Sequence, residues 1–413
     1  MAPERDAGRR RRQRAHVRET PGRPARPGIW TPRFCLLLVT VAMGLATLNL
    51  ALPVLPIAVE RMTGRTGATG IVTAGVALFT VVFELVAARL VGRLRPSLLL
   101  IGAVGLEMVA MAGFATVQSL PAMLLFGCLV GAGFGTVATV SAALIGALAP
   151  PGRQGEAIGY YGLAASAPAI IGPPGALLLL STHGLPAVFW SGTAACTLAA
   201  IAAAWVRPAG ETPAGRPAAA PPRPPWSRRL VLVWTSFVCV TFTYGAVLSF
   251  SPFVLPTFGP GSAAVFLFVF SVTRAVARVG SGRAFDGLAD HRLVLPGLAA
   301  GAAGLTLLAL RSPALTVLAA LLYGTAFGTV QTGTFVGMLR STAGAEPSLV
   351  GGLWNVAVDA GIGLGALTLA PVAAVVGFPR MFWMLPVLLA VSFAIRLAAL
   401  RAGGAVARPS AGG

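Results

Sequence analysis

The chain of 413 residues contains no lysine; all 31 of its basic residues are arginine. Charge of either sign is scarce, at 10% of the residues, against roughly 25% in soluble globular proteins. A chain this poor in charge cannot give itself a water-compatible surface, which excludes an ordinary soluble domain. Without lysine it also lacks the Gly-x-x-x-x-Gly-Lys cradle for nucleotide phosphates, which argues against direct coupling to ATP. Its four cysteines, Cys35, Cys128, Cys196 and Cys239, lie far apart and each falls in an apolar stretch. They offer neither metal-ligand spacing nor a disulfide framework. With only 3 histidines and no cluster of acids, His or Cys, no catalytic constellation, metal or cofactor is expected.

Apolar residues are abundant, at 56% of the chain with a mean hydropathy of +0.82. A second apolar solvent, lipid, accounts for this balance. The 51 glycines and 32 prolines are tolerated in membrane helices. Stretches long enough to cross about 30 Å of hydrocarbon recur at 34–58, 68–92, 97–117, 121–148, 156–181, 185–206, 230–256, 262–284, 293–310, 314–339, 348–375 and 380–400. The twin-arginine run Arg9–Arg12 suggests an export signal, but the apolar run after it, Phe34 to Val59, is too long for a signal core. It reads as a first spanning helix.

Expected domains are a disordered Arg-rich tail at 1–28, a first six-helix bundle at 29–206, a Pro- and Arg-rich linker at 207–228, a second bundle at 229–401 and a tail at 402–413. The net charge of +19 invites a nucleic-acid reading, but its distribution follows membrane topology. With the N-terminus cytoplasmic, the inner side collects the tail, Arg89, Arg93, Arg95, Arg153, the linker, Arg283, Arg292, Arg340, Arg396, Arg401 and Arg408. The outer side keeps Arg61, Arg65, Arg311 and Arg380. An even number of spans with both termini inside satisfies the positive-inside rule. The tail then faces anionic inner-leaflet lipid, and nucleic acid drops out as a partner. The expected location is the plasma or inner membrane.

The two halves resemble each other. Phe134-Gly135-Thr136-Val137 recurs 193 residues later as Phe327-Gly328-Thr329-Val330, and at that offset Gly131 meets Gly324, Gly159 meets Gly352 and Gly172 meets Gly365. With one residue of slippage, Ala88-Arg89 falls on Gly282-Arg283. Six spans followed by six in the same orientation give two bundles related by a pseudo-two-fold axis along the membrane normal. The fold class is therefore an all-α membrane protein of 12 transmembrane helices around a central cavity.

Over 34–400 the chain resembles the major facilitator superfamily. Ser281-Gly282-Arg283-Ala284-Phe285-Asp286 is similar to that superfamily's Gly-Arg-x-x-Asp inner loop. The first half holds a worn copy, with Gly92 where the aspartate is expected. Asn49-Leu50-Ala51-Leu52-Pro53 resembles the end of a drug-exporter motif whose usual acid is missing, with Gly44 nearby. Gly155 to Gly162, followed by Gly172-Pro173-Pro174-Gly175, is similar to the fifth helix of drug–proton antiporters. Leu353-Trp354-Asn355 to Gly361 also resembles efflux permeases, although the arginine expected in the fourth span is replaced by Gly127. The resemblance implies alternating access, with Gly172 and Pro173 as a flexible point and Asp286 with Arg283 as a latch against the start of the fifth span.

An acid within the bilayer costs on the order of 2.5–3.5 kcal/mol on insertion scales and is a functional candidate for that reason. Glu84, Glu107 and Asp359 fall well inside spans. Asp359 lies roughly 18 Å along its helix at 1.5 Å per residue, near the midplane, and is the leading candidate for carrying a proton. Arg274 and Arg278 share one face of the eighth span, where they would form a gate of ion pairs, attract an anionic substrate, or snorkel to lipid phosphates. Asn49, Tyr160, Tyr161, Tyr244, Gln331, Trp354 and Asn355 are the expected cavity lining, sparse enough to suit a hydrophobic or amphiphilic cargo. The leading expectation is a monomeric exporter of a small drug-like compound in exchange for protons. An importer of a small metabolite, or a non-transporting scaffold or receptor on the same fold, stands as the alternative.

Overall fold

The computed structural model describes residues 29–91, 93–117, 119–149, 153–206, 226–255, 261–287, 291–342 and 347–404. The expected N-terminal tail, nearly all of the linker and the end of the C-terminal tail lie outside these residues.

Every element among the described residues is a helix, as expected. Span 1 is Pro32–Ala51, continued after a turn by Leu55–Thr63. It runs past the predicted end at 58, with the turn at Leu52-Pro53-Val54, where Pro53 can give no helical N–H. Spans 2, 3 and 4 are Ile71–Leu90, Pro96–Thr116 and Leu120–Leu148. Spans 7 to 11 are Arg228–Val254, Ser262–Gly287, His291–Ala309, Pro313–Ser341 and Pro347–Val376. Span 12 is Phe378–Met381 followed by Met384–Gly404. Starts carry the expected signals: the Thr31, Ser119 and Ser227 hydroxyls accept from backbone N–H groups three residues on, and Pro32, Pro121 and Pro313 occupy first-turn positions.

Among the described residues eleven helices are long and apolar enough to cross a membrane. One of them, Gln154–Trp205, has 52 residues, about 78 Å at 1.5 Å per residue, which is more than twice a hydrocarbon core. It breaks at Gly184, where φ is 82° and ψ 178°, a conformation a side chain would oppose. Contacts on either side show that the chain reverses there. Tyr160 lies by Phe34 and Gly172 by Asn49, so residues 154–183 run parallel to span 1. Phe189 lies by Phe114 and Cys196 by Glu107, so 185–205 run antiparallel to span 3. These are spans 5 and 6, which makes twelve crossings. Spans 1, 3, 5, 7, 9 and 11 start on one face, which carries Arg33, Arg95, Arg153, Arg228 and Arg292 (the Arg-rich face). Arg61, Arg65, Arg311 and Arg380 lie at the other, far face.

The internal repeat is reproduced in the packing. A side chain on Gly131 or Gly135 of span 4 would overlap the Val76 or Thr80 carbonyl of span 2. In the second half, Gly324 and Gly328 of span 10 are pressed in the same way against the Phe270 and Arg274 carbonyls of span 8. Gly172 on Asn49, between spans 5 and 1, is matched by Gly365 on Phe242, between spans 11 and 7. Lipid supplies no hydrophobic drive between helices, so small residues that let backbones approach do the holding.

Two seams join the halves: span 2 with span 11, and span 5 with span 8. Towards the far face the first is tight. Gly67 lies against Pro371 and Ala374, Gly70 against the Ala366 carbonyl, and Gly363 against Ala74 and Ala77. Towards the Arg-rich face, open space lies beside Gly159 and Gly162 of span 5 and Gly351 and Gly352 of span 11. The halves thus close at the far face and part at the Arg-rich face.

Candidate functional site

The crevice between the halves places acids on one seam and arginines on the other. Glu84 lies about 20 Å along span 2 from the far face and Asp359 about 18 Å along span 11 from the opposite face. Both therefore lie inside the membrane, towards its Arg-rich half, and their carboxyls are close enough to act on each other electrostatically. Glu84 is 9% exposed and packs beside Gly135. The Tyr161 hydroxyl of span 5 donates to the Ala138 carbonyl at 3.3 Å and also lies within electrostatic reach of Glu84. In sequence Glu84 has Arg278 as its repeat counterpart; in space its charged neighbour is Asp359, from an unrelated helix.

On the second seam, Arg274 and Arg278 of span 8 border a recess shared with Ser271 and with Ser166, Ala169 and Ile170 of span 5. The Arg274 guanidinium donates to the Tyr244 hydroxyl at 3.1 Å and lies 5.4 and 5.6 Å from the Tyr244 and Phe327 ring centres. Phe270 and Tyr323 extend this aromatic wall, and the Thr243 and Tyr323 hydroxyls are 2.9 Å apart. Among the described residues the ion pair found is Arg153–Glu156, at 2.8 Å. Neither Arg274 nor Arg278 has a described carboxylate at that range.

The other expected residues scatter. Glu107 is fully buried inside the first bundle, away from both seams. Its Cγ fills the place a Gly133 side chain would take, and its Oε2 lies 3.9 Å from where a Gly44 side chain would begin and 4.0 Å from Cys196 Sγ. Tyr160 packs on Trp30 with ring centres 4.5 Å apart and planes tilted by 54°, holding the start of span 1. Trp354 packs between Phe237 and Phe335 and donates to the Gln331 carbonyl at 3.3 Å, while the buried Gln331 Oε1 has no hydrogen-bond partner. Asn49 donates to the Leu45 carbonyl at 2.7 Å, and Asn355 is half-buried on span 11. Span 5 stays helical through Pro173, and Gly172 lets it close on Asn49. The side chains of Arg283 and Asp286 lie outside the described ones, as does Gly92. A groove of about 490 Å³ between spans 1, 5 and 6 is lined by apolar side chains such as Leu36, Val39 and Ile201.

Two helical bundles joined along two seams around a crevice that opens to one face are the architecture of membrane transporters built from parallel repeats. The family model of the Major Facilitator Superfamily matches residues 34–366, and the chain belongs to that superfamily. It is thus a multi-pass membrane transporter of small molecules and not an enzyme. Solved structures share the fold. A bacterial homolog of the human lysosomal transporter Spinster, inward-facing and unoccupied, aligns with a TM-score of 0.74 at 13% identity, over 92% of this chain and 98% of that one. The nucleoside transporter NupG gives 0.72 at 12% identity, over 89% and 99%. The human organic anion transporter MFSD10 (TETRAN) gives 0.65 at 15%, over 88% and 99%. No curated protein sequence matches.

Proposed function

We propose that this transporter exports a small hydrophobic or amphiphilic compound in exchange for protons. The observation that carries the reading is the Glu84–Asp359 pair inside the membrane on the seam between spans 2 and 11. That seam must part and re-form when the halves rock. Two carboxylates facing each other in an apolar seam repel unless a proton is held between them, so protonation favours closure there and deprotonation favours opening. Export as the direction is supported by the resemblance of Asn49 to Pro53 and of Gly172 to Gly175 to drug–proton antiporters. The arginine asymmetry supports both termini, and hence the open Arg-rich face, being cytoplasmic. A monomer suffices, because the crevice is formed within one chain. Arg283 and Asp286 are proposed to latch that face; Asp286→Ala would then change the balance between the two openings.

The test is transport in proteoliposomes loaded at acid pH, with two fluorescent probes: the anion dansyl sulfonate and the cation rhodamine 6G. The wild type is expected to accumulate one of them until a protonophore collapses the gradient. Asp359→Asn is expected to abolish gradient-driven accumulation while sparing exchange without a gradient. Undiminished gradient-driven accumulation in that variant would remove Asp359 from the mechanism. Accumulation only with acid outside would make the protein an importer.

A further inference from the structure

The fold is nearly symmetric in shape and opposite in charge across the crevice. Under the repeat, Glu84 of span 2 corresponds to Arg278 of span 8, and Asp359 of span 11 to Ser166 of span 5. One seam therefore carries two carboxyls and its symmetry mate carries two guanidiniums beside two serine hydroxyls. Arg274 and Arg278 are one helical turn apart on one face, and no described carboxylate is within ion-pair distance of either. Two cations on one helix face inside the membrane, with no described carboxylate in ion-pair range, are unfavourable. Arginine presents a planar fork of donors suited to carboxylate, sulfonate or phosphate. Of Arg274's donors, one is directed to the Tyr244 hydroxyl. Beside the pair, Tyr244, Phe270, Phe327 and Tyr323 are buried against one another in the second bundle and give Arg274 a rigid apolar backing.

Snorkelling of Arg274 does not fit this placement. Its guanidinium is held over the Tyr244 and Phe327 rings inside the second bundle. Its backbone carbonyl is pinned against Gly328 of span 10.

We infer that Arg274 and Arg278, with Ser166 and Ser271, bind the anionic head of a soluble amphiphile, so that the cargo of this transporter is an amphiphilic anion. This rests on the transporter reading and narrows its substrate class. The proton and the cargo then occupy opposite seams, each neutralising the charge peculiar to its own. Cargo binding therefore needs no contact with Asp359.

Equilibrium binding without any gradient tests it separately from transport. Purified full-length protein in phosphatidylcholine nanodiscs would be titrated with dansyl sulfonate and, as the matched cation, dansylcadaverine. The sulfonate is expected to bind at least tenfold more tightly than the cation. Arg274→Gln and Arg278→Gln should each weaken it tenfold or more, while Arg278→Lys, which keeps the charge and controls for folding, should retain part of the affinity. Glu107→Gln, an acid neutralised away from both seams, should bind the sulfonate as the wild type does, so that loss of a buried charge in general is not mistaken for loss of the anion site. The inference is overturned if the cation binds as tightly as the sulfonate, or if both Gln variants keep wild-type affinity. In that second case, altered accessibility of the crevice in the same variants would assign the arginines to a gate. Displacement of the sulfonate by phosphatidylglycerol in the nanodisc would overturn the soluble cargo in favour of a lipid headgroup.

Discussion

Single residues in this chain divide by whether they meet a seam. Glu107 was as visible in the sequence as Asp359, since both are acids in the middle of apolar runs. Only the fold separates them. Asp359 reaches the seam, while Glu107 is enclosed by spans 1, 3, 4 and 6 in a space that Gly44 and Gly133 leave free. Glu107→Gln is therefore expected to keep gradient-driven transport, measured in the same proteoliposomes that show Asp359→Asn to have lost it. Glu107→Lys, too long for that space and charged, should fail to fold, read as loss of a monodisperse peak on size-exclusion chromatography. Tyr160 illustrates the converse. It looked like cavity lining because a polar-tipped ring in a membrane helix often is, yet Trp30, just ahead of the first span, claims its face. The Glu84–Asp359 pair could not be read from sequence at all. The two acids lie 275 positions apart on helices that the repeat does not relate.

At the scale of elements, the sequence showed where helices are better than how they face. Length and hydropathy located all twelve crossings, and the Gly184 reversal fell in the expected gap between 181 and 185. Facing was hidden because helices apolar all round carry almost no amphipathic signal. The exception is the glycine ladder, in which a four-residue spacing marks contact faces directly. Gly328→Val would push a branched side chain into the Arg274 carbonyl, and such overpacking costs roughly 1–3 kcal/mol. A lowered Tm in a thermal-shift assay is expected, with Gly135→Val behaving alike in the other half. Gly159→Ala, which meets open space, should leave Tm unchanged.

For the whole molecule, the conformational balance depends on how well the far face closes. Gly70 sits against the Ala366 carbonyl and Gly363 against Ala77. A side chain at either position wedges spans 2 and 11 apart, so Gly70→Leu should shift the population towards opening at the far face. The measurement is thiol labelling of a cysteine placed at Thr73, one turn below that contact. In the Gly70→Leu background it should react faster with an impermeant maleimide from the far side. Equal rates in both backgrounds would mean that this contact does not set the balance.

The glycine ladders also say which parts can move. Spans 2 and 4, and likewise 8 and 10, touch backbone to backbone and leave no room to slide, so each pair acts as one stiff slab. Motion is confined to the seams between slabs of different halves. Those seams match in outline but not in polarity, like two jaws of one casting with opposite magnetisation. A cargo with a charged end and an apolar end can lie between such jaws in one direction only. Reversing it would bring its anionic end against the carboxyls. The machine should therefore tell head from tail, and an elongated cargo should pass through it in a single fixed order.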